Sequence, residues 1–173
     1  LGAQAGENAQ GPNATAVGNF AGNSQQQQQA TAVGFRAAER QQGQFAVAVG
    51  AAAGAARQGD LAVAIGSDAG GNSQTSEAVA IGNKAGNLNQ SSRAVALGAE
   101  AGRDNQKERS IAIGDQAGAI DQQKSSIAIG GNAGQTSQGF GIGGNGGGVA
   151  IGDSAGQVRQ RQSCIAIGQN AGL

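Results

Sequence analysis

The chain has 173 residues, 33 of them glycine, with one proline, one cysteine, four phenylalanines and no histidine, tryptophan, tyrosine or methionine. Eleven basic and eleven acidic residues cancel, so there is no net field to seek nucleic acid or an anionic membrane. No run reaches the roughly 20 apolar residues of a membrane helix, no signal peptide is legible, and without His, paired carboxylates or a P-loop the inventory argues against enzymatic chemistry.

A glycine recurs every sixteen residues from Gly2 through Gly18, Gly34, Gly50, Gly66, Gly82, Gly98 and Gly114 to Gly130. Such self-similarity marks a stacked repeat protein. Two residues before each glycine stands alanine, flanked by a larger or β-branched pair: Thr15/Val17, Thr31/Val33, Val47/Val49, Val63/Ile65, Val79/Ile81, Val95/Leu97, Ile111/Ile113 and Ile127/Ile129. This alternation has period two and predicts a short strand. Ala-Gly follows three and four residues after the glycine, as in Ala85-Gly86, with Ala37-Ala38 the variant. Eight residues after it comes glutamine, including Gln58, Gln74, Gln90, Gln106 and Gln122.

The eleven or so residues between strands, rich in Gly, Asn and Gln, are enough to turn, run back and turn again. The expected fold is all-β: a parallel β-solenoid of sixteen-residue coils. We expect a single repeat domain over 1–173, about 11 coils, cut from a longer chain. Its register slips once, near 139–148, where Phe140 and Ile142 read as the apolar pair of a shortened copy and a glycine-rich run follows; order resumes at Val149-Ala150-Ile151-Gly152. The larger residue of each strand is expected inside, so Val79, Ile81, Val95, Leu97, Ile111, Ile113, Ile127 and Ile129 form the core. The alanines between them, Ala80, Ala96, Ala112 and Ala128, then form a small-residue face for close approach by further chains. The glutamines are expected to chain their amides from coil to coil. Cys164 stands in a slot otherwise held by Ala or Ser and reads as a small buried side chain.

Segments such as Glu77-Ala78-Val79-Ala80-Ile81-Gly82 and Ser110-Ile111-Ala112-Ile113-Gly114 resemble the S-V-A-I-G repeats of trimeric autotransporter adhesin heads of the YadA type. The resemblance spans essentially the whole chain. It implies a left-handed parallel β-roll with three chains around one axis on a bacterial outer surface, holding to host matrix or to other cells. The same strings are similar to repeats in fibre and surface proteins of large DNA viruses and phages, which implies a virion surface instead. The expected function is therefore a non-enzymatic, extracellular structural or adhesive fibre, without cofactor or metal. Its partners are itself, as a homotrimer or filament, and a matrix or cell-surface ligand; nucleic acid and membrane contact are not expected. Most charge lies in variable positions, and Arg103, Asp104, Lys107, Glu108 and Arg109 are the candidate adhesive surface. Ice binding is a minor alternative that calls for a regular array of threonines, and only Thr15 and Thr31 occupy the strand slots.

Overall fold

A computed structural model describes residues 2–141 and 146–172. The chain is a parallel β-solenoid. One short strand per coil occurs at β1 (Thr15–Val17) and β2 (Thr31–Val33), then at β4 (Val47–Val49) and β6 (Val63–Ile65). It continues through β7 (Val79–Ile81), β8 (Val95–Leu97), β9 (Ile111–Ile113), β10 (Ile127–Ile129), β11 (Val149–Ile151) and β12 (Ile165–Ile167). These ten strands form one parallel sheet in chain order. The register is strict, with alanine on alanine throughout, as in Ala80↔Ala96 and Ala96↔Ala112. A second, two-stranded sheet pairs β3 (Gln41–Gln42) with β5 (Arg57–Gln58) on another wall.

Outside the strands the backbone bonds coil to coil as well. Gly86 N–H donates to Ala101 O at 2.9 Å, Leu88 to Arg103 O at 2.8 Å and Ser91 to Gln106 O at 2.9 Å. The corners need residues in the left-handed region, many of them not glycine: Lys84 (φ 55°), Asn89 (φ 58°), Arg93 (φ 59°) and Glu100 (φ 54°) are examples. Each such residue costs on the order of 1 kcal/mol. Coil-to-coil bonds hold them there, since Lys84 N–H reaches Ser67 O at 2.9 Å and Glu100 N–H reaches Asn83 O at 2.8 Å.

Most coils hold two glycines at points of close approach. At the strand end, Gly98 has φ 130°, and a Cβ there would lie 2.6 Å from Gly114 O of the next coil. Four residues on, Gly102 has φ 52°, and a Cβ there would lie 2.6 Å from Gln106 Cδ. The coil is therefore so narrow that a methyl group at Gly102 would crowd the glutamine crossing its interior; one coil accommodates the methyl, with Ala38 fully buried at φ 46° beside Gln42.

That narrowness reverses the expected direction of the strands. The interior is made of alanine: Ala80, Ala96, Ala112 and Ala128 are fully buried and pack against the alanines of the opposite corner, such as Ala85, Ala101 and Ala117. They are not an oligomer face. The larger residues expected as core point outward. Val79, Ile81, Val95, Ile111, Ile113 and Ile127 are only half-buried, while Leu97 is 41% exposed and Ile129 36%. Period-two alternation puts the two sets on opposite sides; the space inside decides which set enters, and overfilling a close-packed interior is destabilising.

The slip in register is a corner insertion. Gln138 keeps its place, Gly148 takes the buried slot of Ser126 in the coil before, and β10 pairs directly with β11. Phe140 is exposed and bridges Arg161 rather than entering a strand pair, and Ile142 lies outside the described residues. Cys164 is exposed, not buried; it belongs to the last described coil, where β12 has a neighbour on one side only.

Candidate functional site

The glutamine column braces the interior. Gln106 Nε2 donates across the coil to Val95 O at 2.7 Å, to Ser110 O at 3.4 Å, and to Gln122 Oε1 of the next coil at 3.1 Å. Gln74, Gln90 and Gln122 make the same three bonds. Gln58 bonds to Val47 O and Ala62 O, while Gln74 Oε1, the next acceptor along the column, is buried without a partner. These side chains are buried, and apart from the unpartnered Oε1 atoms of Gln74 and Gln160 the amide network is satisfied within the stack, which it specifies rather than presenting a ligand site.

The outer walls present three surfaces. The first is the charged corner of Arg103 to Arg109. Arg103 bonds Glu100 at 2.7 Å and Asp104 at 3.0 Å, and the hydrogen bond to Asp104 pushes its pKa further up. Glu108 is held by Arg109 at 2.7 Å and Lys124 at 3.0 Å; Lys124 first, then Arg109, keeps its carboxyl below the usual carboxylate range. Lys107 and Arg109 are exposed. The five residues divide into Arg103/Asp104 and Lys107/Glu108/Arg109, on either side of the corner at Asn105, where φ is 59°. They form an outer wall in which the acids are already paired, not one convergent pocket.

The second surface is an open groove of about 490 Å³ beside β3 and β5, lined by Gln25, Gln41, Arg57, Asp60, Ser73 and Thr75. Its floor is the second sheet, and its walls carry amides, hydroxyls and one guanidinium. Sequence patterning could not single it out, because beside the column residues Gln42, Gln58 and Gln74 its lining comes from variable positions. The third surface is the outward stripe of Val and Ile pairs. Thr15 and Thr31 head this stripe and the array goes on as Val, Ile and Leu, so a regular threonine array for templating ice is absent among the described residues.

Among the described residues no three His, Cys, Asp or Glu side chains gather as a metal site, and no helix is long and apolar enough to cross a membrane. No family model, curated protein or solved structure matches the chain.

Proposed function

We propose that the chain is a non-enzymatic structural and adhesive fibre segment, displayed at an extracellular surface, which attaches through many weak and equivalent contacts. One observation carries this reading: the interior positions hold the same small set of residues coil after coil, while the outward wall positions vary in charge and shape. A rigid stack with a free exterior presents wall residues at a fixed repeat of about 4.8 Å. Contacts of that kind gain strength by number rather than by depth of pocket. The resemblance to adhesin heads supports a bacterial outer surface facing matrix or other cells. The similar viral and phage repeats make the virion fibre the alternative setting for the same solenoid.

The test is binding of the full chain, and of versions lengthened by copies of a sixteen-residue coil, to immobilised extracellular matrix and to intact cells. Retention should rise steeply with coil number and fall when Lys107 and Arg109 are replaced by alanine. Binding that is absent in every version, or that does not change with coil number, overturns the proposal.

A further inference from the structure

The outward Val/Ile stripe is used neither by the interior nor by the charged walls. Ten rungs at about 4.8 Å, two side chains wide, make a strip roughly 45 Å long and roughly 10 Å across. Its area, on the order of 450 Å², lies within the size range of the largest apolar patch on an ordinary monomer, a patch that is often functional. Near its head the strip widens, since Phe35, Phe45 and Leu61 beside it are exposed.

We propose that this stripe is covered by a second copy of the chain, packed face to face, with the two solenoids parallel and a two-fold axis running along the stack. Repeat spacing is the first argument. A partner that fills a corrugated strip along its whole length must share its rung spacing, and another copy of this solenoid does so by construction. Area is the second. Two such strips bury about 900 Å² and their margins add more, which reaches the level of about 1,000 Å² that a specific interface needs.

Charge is the third argument, and it selects the orientation. A two-fold axis along the stack keeps every rung at its own level. It sets the residue before each strand opposite the residues after the same strand in the other copy. At β7 this opposes Glu77 to Lys84 of the second copy, at β8 Arg93 to Glu100, and at β9 Arg109 to Asp115. At β4 Phe45 faces the small side chains of Ala51 and Ala52. On the remaining rungs no like charges meet, and at β6 Leu61 faces Ser67 and Asp68. An antiparallel pair with full overlap would join Glu77 to Arg93 and Lys84 to Glu100, but it would leave Arg109 against Leu61, with Asp68 and Asp115 one position apart on the facing rungs. Glu77 and Arg93 already touch within one chain at 3.1 Å, an exposed contact that holds them weakly and leaves both free to reach across, and Glu100, which holds Arg103 through Oε2 at 2.7 Å, meets Arg93 of the second copy with Oε1. The proposed pairing uses the outward stripe, not the buried alanines, and is independent of what the charged walls bind.

Sedimentation equilibrium of the full chain should give the mass of two copies. Ile81→Arg combined with Ile113→Arg should weaken association by on the order of 100-fold or more, because each arginine would be buried unpaired. Circular dichroism should stay that of the parent, since both side chains point out of the coil. Arg93→Glu alone should weaken the pair, and Arg93→Glu together with Glu100→Arg should restore it. The same double exchange would worsen an antiparallel pair, where those residues face Glu77 and Lys84. These charge variants lie outside the interior and carry the test if the arginine variants misfold. A single-copy mass up to millimolar concentration, a three-copy mass, or failure of the double exchange to restore association overturns the proposal.

Discussion

The coils around Gln41 and Arg57 and those from Gln74 to Gln138 share one interior but differ at a single corner. Seven residues after the strand glycine, Gln41 and Arg57 are extended and pair as β3 and β5. In the later coils that position holds Ser73, Asn89, Asn105, Asp121 and Ser137, all with φ between 55° and 61°. The bridging residue there moves one place earlier, through Leu88, Asp104, Ile120 and Thr136. Asn and Asp tolerate the left-handed region better than other residues with a Cβ. They also bond to one another along the stack, Asn89 to Asn105 at 3.1 Å and Asn105 to Asp121 at 3.0 Å. Where packing leaves the backbone a choice, local preference decides. Ala9 and Gln25, in the first coils, take positive φ without that preference, so the corner conformation costs little enough for neighbouring coils to impose it.

The two blocks should respond most differently where the corner change reaches the interior. Gln106→Leu leaves Gln122 Oε1 buried without its donor, takes the coil-to-coil acceptor from the Gln90 amide and removes one bond each from Val95 O and Ser110 O, the latter keeping the Val95 N–H; with about 1 kcal/mol or more for the stranded oxygen and part of that for each lost bond, it should cost upwards of about 2 kcal/mol. Gln58→Leu should cost about 1 kcal/mol less, because that column already stops between Gln58 and Gln74. Thermal unfolding followed by far-ultraviolet circular dichroism measures both. Equal losses would mean that the break in the column has no energetic weight.

A smaller effect should be the same in both blocks. Ala48→Val and Ala112→Val each force two methyl groups into an interior with no room for them, at a cost of about 1–3 kcal/mol. Ile113→Ala, measured at a concentration where the chain is a single copy, removes a side chain that is already half in solvent and should cost about 1 kcal/mol. If Ile113→Ala proves the more damaging of the two neighbouring changes, the strand faces the other way from the structure described above.

That orientation was the part of the fold hardest to read. The sixteen-residue period, the strand triplets and the position of the glutamines are patterns of identity, legible in Val79-Ala80-Ile81 and Gln90 without any geometry. Alternation, however, says which residues share a side and not which side is inside. The usual preference for burying the larger residue misleads when the coil is too thin to hold it. A signal was present: alanine or another small residue recurs at Ala80, Ala85 and Ala94, on three parts of the coil, as a narrow interior demands and a Val/Ile-filled one does not. The paired acids of the charged corner and the groove beside β3 lay beyond reach, because both depend on which variable residues stack above one another. So did the left-handed corners at Lys84, Arg93 and Glu100, which no local preference marks.

The smallest difference isolates the corner itself. Asn105→Val places a β-branched side chain at φ 59° and removes two side-chain bonds along the stack; on conformation alone it should cost about 1–2 kcal/mol. Gln41→Val acts on an extended, exposed residue already in a strand, where β-branching is favoured, and should change stability by less than about 0.5 kcal/mol. Asn105→Gly separates the two contributions at Asn105. It keeps the left-handed conformation and loses only the side-chain bonds, so it should fall between Asn105→Val and the parent. Should Asn105→Val and Asn105→Gly unfold at the same temperature, backbone conformation is not what distinguishes the two blocks, and the asparagine ladder along the stack must account for the difference.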